Sequence, residues 1–294
     1  MPSTRRAEVR AVSDGLIGVT GATGEVGGRV ARLLAERGAP IRLIVRDPGR
    51  APSDLAGAEV RVASSYGARD EMVDALRGVS TLFLVPGRES ADRVSQHRTA
   101  VEAAAEAGVA RIVYLSFVDA DTSSFTLGRE HGATEEIVRA SGLAWVFPRM
   151  SLYTDFIPMM ADSDGVIRGP AGEGRLAAVL RDDLADAVAA LLIGAGRHDG
   201  RTYDLTGPSA FTLAEAAAEM SRAWGRPFTF MDETLEEARA SRAVFGAPDW
   251  EVEGWISSYV AIARGELERV SDGVEQLTGH PPRSLRSWLS ETRP

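Results

Sequence analysis

The segment Thr20-Gly21-Ala22-Thr23-Gly24-Glu25-Val26-Gly27 spaces its glycines as G-x-x-G-x-x-G. It lies between an apolar run that reads as a strand (16–20) and an amphipathic stretch that reads as a helix (24–37). In that setting each glycine has a task. Gly21 lets the strand turn sharply. Gly24 lets backbone N–H groups approach a pyrophosphate, and Gly27 lets the helix pack close to the sheet. The helix N-terminus adds unpaired N–H groups and partial positive charge. Thr20, Gly21, Thr23, Gly24, Glu25 and Val26 are therefore the expected dinucleotide-binding residues; a tight turn without a ligand is the other reading. The end of the second strand, Val45-Arg46-Asp47, selects the cofactor. An acidic side chain there suits a ribose 2′-OH, and an arginine suits a 2′-phosphate. Arg46 comes first, so NADPH is expected ahead of NADH, with Asp47 as the competing ribose ligand.

These residues need a scaffold, and the chain alternates short apolar runs with helical stretches as a parallel α/β sheet does. Strands are predicted at 16–20, 41–45, 59–62, 81–85, 111–116 and 143–147, the last ending before Pro148. Helices are predicted at 24–37, 70–76, 89–108 and 128–141, with Gly142 as a stop. This is a Rossmann-like doubly wound domain over 15–150, preceded by a flexible arm over 1–14. Residues 151–294 read as a smaller, mainly helical substrate lobe, of which about 181–206 returns to the first domain. A helix is expected at 182–193 with Asp182 as its cap, and a short strand at 203–205. Thr212 and Glu215 form a capping box opening a helix that runs to Trp224. Trp224, Trp250, Trp255, Trp288, Phe228, Phe230 and Phe245 read mostly as lobe core, with one or two free to line a flat aromatic site.

Composition narrows the chemistry. The 294 residues contain no cysteine, which excludes thiol nucleophiles, disulfides and thiolate metal sites. All 33 basic residues are arginine, so lysine Schiff bases and a Tyr-x-x-x-Lys pair are excluded. No His/carboxylate spacing suggests a metal. The net charge of −9 argues against nucleic-acid binding. Residues 1–50 nevertheless carry net +4, which suits a local anionic ligand. No run is long enough for a membrane helix, and residues 1–14, with arginines but no apolar stretch, are not expected to act as a secretory signal. A cytoplasmic monomer or homodimer is expected.

The glycine turn, Val45-Arg46-Asp47, His131-Gly132-Ala133-Thr134-Glu135, the segment 148–156, Arg181-Asp182-Asp183-Leu184-Ala185 and Tyr203-Asp204-Leu205-Thr206-Gly207 resemble the NmrA-like atypical short-chain dehydrogenases. Within that group the chain looks most like triphenylmethane reductase and the NADPH:quinone oxidoreductases. The resemblance runs from about residue 15 to the C-terminus. It implies NADPH and a small aromatic or quinonoid substrate. Aligned by Glu135, Leu127 and His131 occupy the positions where typical short-chain dehydrogenases carry their catalytic Tyr and Lys. The standard acid–base pair is thus missing, and the resemblance implies that positioning of hydride donor and acceptor does most of the work. After the third strand the group often has Gly-Asp; here stands Ala63-Ser64-Ser65-Tyr66.

In such sheets the site lies beyond the C-terminal strand ends. That selects Val85 and Pro86, then Ser116 and Phe117, then Tyr153 and Asp155. Pro86 and Phe117 are expected to wall the nicotinamide. Ser116, His131 and Tyr153 are the candidates around the hydride. Their bland alternatives are a strand-end cap, a helix-surface histidine and a core tyrosine. The expected function is NADPH-dependent hydride transfer to a quinone-like or conjugated aromatic acceptor. A dinucleotide-binding sensor that never turns over is the alternative.

Overall fold

The computed structural model describes residues 15–55, 57–194 and 196–292; the arm expected over 1–14 lies outside them. The chain forms β1 (Leu16–Thr20), α1 (Glu25–Glu36), β2 (Ile41–Val45), β3 (Glu59–Val62), α2 (Arg69–Leu76) and β4 (Val79–Leu84). It continues through α3 (Arg93–Glu106), β5 (Arg111–Tyr114), the short β6 (Ser116–Phe117), α4 (Thr126–Ala140) and β7 (Ala144–Met150). After β8 (Val166–Gly169) and β9 (Arg175–Leu176) come α5 (Arg181–Ile193) and β10 (Arg201–Leu205). The rest is β11 (Phe211–Thr212), α6 (Leu213–Trp224), β12 (Thr229–Asp232), α7 (Leu235–Arg242), α8 (Asp249–Ala263), α9 (Gly273–Thr278) and α10 (Leu285–Glu291).

The central sheet runs β10-β7-β5-β4-β1-β2-β3, with β6 beside β7 and every pairing parallel. Strand order reverses at β1, which has β2 on one side and β4 on the other. Such a switch point leaves a crevice at the C-terminal strand ends. Strand residues alternate between two apolar layers, as a pleat requires. Ile17, Val19 and Phe83 pack with Val30 and Leu34 of α1 and Leu184 and Val188 of α5. Leu82 and Leu84 pack on the other side with Met72, Leu76, Ala100, Tyr114 and Phe147. On α1, Val26, Val30 and Leu34 recur at helical spacing and are buried, which fixes its face toward the sheet.

Beyond β7 the C-terminal part packs Ile167, Leu176, Leu213, Met220, Phe228, Tyr259, Ile262 and Leu285 into one cluster with Phe117, Val118 and Phe125 from before β7. Two small sheets accompany its helices: β8 pairs parallel with β12, and β9 antiparallel with β11. The helix α5 packs on α1, and α9 packs on α5 and β10. Thr212 accepts from Glu215 N at 3.0 Å, and its own N–H donates to the Glu215 carboxylate at 2.9 Å, the expected capping box.

Several expectations change. The strand predicted to stop before Pro148 continues to Met150. Pro148 falls between the stretches of β7 paired with β5 and with β6, where its missing N–H interrupts no ladder on that side. The run 111–116 splits into β5 and β6. The helix predicted at 89–108 begins only at Arg93, and residues 85–92 form a loop. Asp182 is not a cap: Leu180 precedes α5, and Asp182 instead binds Arg29 at 2.6 Å. Phe245 and Trp250 are not core; they are 69% and 48% exposed.

Candidate functional site

The glycine turn joins β1 to α1 at the switch point. Gly21 has φ +63°, a conformation that favours glycine, and a Cβ there would stand 3.0 Å from the Val85 side chain. A Cβ on Gly27 would lie 2.3 Å from the Gly21 carbonyl oxygen, so α1 sits as close to the turn as backbone allows. Gly24 precedes α1 and supplies no side-chain cap, so the first helical N–H groups meet no side-chain partner there. Thr23, Gly24 and Glu25 are exposed around this end; Val26 is buried and offers its backbone only. Thr20 is spent structurally. Its Oγ1 donates to Phe83 O at 3.1 Å and accepts from Val85 N at 2.9 Å, tying the ends of β1 and β4 together. The Glu25 carboxylate is engaged by Arg29, whose hydrogen bond and charge hold it below the usual range.

A cleft of about 350 Å³ starts at this turn and is lined by Gly21, Thr23, Arg46, Ala63, Ser65, Tyr66, Pro86, Gly87 and Glu89 among others. Arg46 is exposed and makes no hydrogen bond or ion pair with the described residues. Asp47, its competitor for the ribose end, is committed: its carboxylate accepts from Gly49 N at 2.9 Å and caps the turn at Pro48–Arg50. Tyr66 donates its OH to Val85 O at 2.6 Å, and burial pushes its phenol up to about 12. It therefore braces the cleft as a neutral donor.

Ser116, Phe117 and His131 are buried, 0%, 3% and 2% exposed respectively. Ser116 Oγ donates to Glu135 Oε1 at 2.6 Å. Glu135 also accepts from Arg149 Nε and Nη2 at 2.8 and 2.7 Å, and from Arg139 at 2.8 Å. Ser116 thus belongs to a buried charge cluster instead of facing the cleft. His131 Nδ1 lies 3.0 Å from Tyr114 OH, and Nε2 lies 3.5 Å from an Arg93 nitrogen. Burial, then the nearby Arg93 charge, holds this imidazole well below its usual pKa, so it stays neutral and is no surface histidine. Phe117 packs against Phe125 and the His131 ring instead of walling the cleft.

Tyr153 is half-buried, and the Arg181 guanidinium lies 4.2 Å from its ring centroid. Among the described residues its OH donates only to Met150 Sδ, at 2.7 Å. Burial pushes the phenol up, so it remains protonated. Arg181 in turn binds Asp155 at 2.9 Å, and the second Asp155 oxygen is buried without a partner. Leu127 is half-buried against the lobe core. Sequence reasoning missed Arg93, His97 and Arg181, because nothing in their local spacing separates them from surface charges. A roomier groove of about 500 Å³ lies between α1 and α5. Most of its charges are already matched, Arg29 to Asp182 and Arg283 to Asp182 and Asp183, and it lies away from the glycine turn.

A glycine cradle with no room for side chains, an uncapped helix N-terminus and an unpaired arginine at the far end together fit a dinucleotide with an extra phosphate. Comparison with known proteins agrees with that fit. The NAD(P)H-binding family matches residues 21–193. A (4-alkanoyl-5-oxo-2,5-dihydrofuran-3-yl)methyl phosphate reductase from Streptomyces griseus is 37% identical over 286 residues, 94% of this chain and 97% of that protein. The structure of the NADPH-dependent quinone oxidoreductase QOR2 from Escherichia coli, complexed with NADPH, superposes with a TM-score of 0.85. It is 35% identical and covers 94% of this chain and 99% of that one. Triphenylmethane reductase from Citrobacter sp. gives a TM-score of 0.82 at 31% identity, with the same two coverages. On these matches the chain belongs to the NAD(P)H-binding family, as one of its oxidoreductases.

Proposed function

We propose that this protein reduces a conjugated, quinone-like or aromatic acceptor by direct hydride transfer from NADPH. The observation that carries the reading is the state of the groups at the strand ends. Ser116 and His131 are buried and committed to Glu135, Tyr114 and Arg93. Among the described residues, Ser116 and His131 are therefore not left as a hydroxyl–cation pair to polarise an ordinary ketone. The acceptor must then be one that takes hydride readily, which conjugated electrophiles do. The named relatives act on a quinone, a triphenylmethane dye and a dihydrofuranone phosphate, all of that electronic class.

When bound, the dinucleotide supplies the hydride. The chain's residues hold and orient. Backbone N–H groups of the glycine turn and α1 receive the pyrophosphate, and Arg46 receives the 2′-phosphate. Tyr153 is the candidate for substrate contact, because its present partner is a thioether, a weak acceptor that a substrate oxygen would displace. Phe245 and Trp250, exposed on the lobe, are candidates for stacking on a flat acceptor.

The test is fluorescence titration of the purified protein with NADPH and NADH, followed by quinones, azo dyes and triphenylmethane dyes in the same cuvette. Preferential NADPH binding, with loss of its fluorescence on adding one of these acceptors, is the expected result. Tight binding with no oxidation by any acceptor would favour the sensor. No binding of either nucleotide would remove the reading.

A further inference from the structure

The loop 85–92 forms one wall of the cleft through Pro86, Gly87, Arg88, Glu89 and Ser90, yet has no helix or strand to fix it. Its ends are tied at Val85, to Thr20 and Tyr66, and at the Ser90 and Asp92 carbonyls that open α3; between them the backbone is held from behind at Gly87. Gly87 N–H donates to His97 Nε2 at 2.9 Å, and Gly87 C=O accepts from Arg93 Nε at 2.9 Å. Both polar groups of one peptide residue are therefore taken by two side chains of α3.

Each side chain is anchored at its other end on α4. Because His97 Nε2 accepts, the ring proton sits on Nδ1, which donates to Thr134 Oγ1 at 2.9 Å; Thr134 Oγ1 passes its own proton to Glu130 O at 2.8 Å. Arg93 Nη1 binds the Glu130 carboxylate at 2.7 Å. His97 is 0% exposed and Arg93 5%. Burial, then the Arg93 charge, lowers the imidazole to about 3, so the accepting lone pair is present at any working pH. Neither residue belongs to the glycine turn or touches Arg46.

We propose that Arg93 and His97 are positioning residues: by clamping the Gly87 peptide they set where the 86–90 wall stands against the bound dinucleotide. The assignment of the occupant rests on the proposed function; the clamp itself does not. Two measurements on the wild-type protein without nucleotide address it directly. The ¹⁵N shifts of His97 at neutral pH should show the neutral Nδ1–H tautomer, and the Gly87 amide should exchange at least about tenfold more slowly than an unbonded loop amide. A charged or Nε2–H imidazole, or a Gly87 amide exchanging freely, overturns the clamp.

Variants then link it to the site. His97→Leu keeps volume and removes the acceptor; it should weaken NADPH about tenfold and release the Gly87 amide. His97→Gln, whose amide oxygen accepts the same N–H, should restore both to within about threefold. Unchanged NADPH affinity in a folded His97→Leu protein overturns the positioning role. If His97→Leu fails to fold, His97→Gln decides: normal Gly87 protection and NADPH affinity support the role, and loss of both rejects acceptance of the N–H as its basis. Should wild type bind no nucleotide at all, the reductase reading fails while the tautomer and exchange results still stand.

Discussion

Arg46 and Tyr153 carry the sharpest single-residue predictions. Arg46 has no partner among the described residues, whereas Asp47 is used by the turn that follows it. Arg46→Ala should weaken NADPH by about tenfold to a hundredfold and leave NADH nearly unchanged, read by fluorescence titration. Equal losses would remove the 2′-phosphate assignment. Tyr153→Phe should lower turnover about tenfold while sparing NADPH affinity, because the hydroxyl holds only a thioether; an unchanged rate would take Tyr153 out of the mechanism. Glu135 behaves differently. It is 0% exposed and balances the buried Arg149. Glu135→Gln should cost about 3–5 kcal/mol of unfolding free energy in urea titration, because a buried cation loses its counter-charge. Loss of activity without loss of stability would instead make the Ser116–Glu135 pair chemical.

At the scale of elements, the turn between β1 and α1 depends on how near the helix comes to the strand end. A Cβ on Gly27 would stand 2.3 Å from Gly21 O, a backbone atom that no rotamer change can move aside. Gly27→Ala should therefore push α1 outward, destabilise the fold by about 1–3 kcal/mol and weaken nucleotide binding together with stability. Thermal melting and NADPH titration on one sample check this; a variant as stable as wild type with normal binding would show that α1 has slack. The local elements were legible because apolar periodicity, glycines and the Thr212–Glu215 box act within a few residues. β2, β3 and α6 have their predicted bounds for that reason. β8 and β12 pair across more than sixty residues, and β12 is mostly exposed, so its run of Thr229–Asp232 carries no alternating pattern to reveal it. The loop before Arg93 was hidden because Ser90 and Asp92 are as compatible with a helix start as with the turn they make.

For the whole molecule, acid should be the main stress on the α3–α4 interface. His97 and His131 are buried neutral, with folded-state pKa values below the ordinary 6.5. As pH falls below about 6.5 the unfolded chain takes up protons that the folded chain refuses. Each histidine then removes about 1.4 kcal/mol of stability per pH unit, for His97 down to about pH 3. Asp183, Asp204 and Glu89, raised by burial, act with the opposite sign. Urea unfolding of wild type and His97→Gln at several pH values isolates the term: the variant should lose less stability on acidification, and parallel curves would mean His97 titrates normally. The sequence by itself determined the parallel α/β architecture, the glycine turn and the arginine that follows β2, because each rests on short-range spacing and on residue chemistry. Only the tertiary structure decided which polar residues face the cleft. Ser116, His131 and Phe117 sit at strand and helix positions that point toward a site in outline. Their exposure, however, depends on whether Glu135, Arg149, Arg93 and Phe125, carried on other elements or other turns of the chain, close over them, and packing alone settles that.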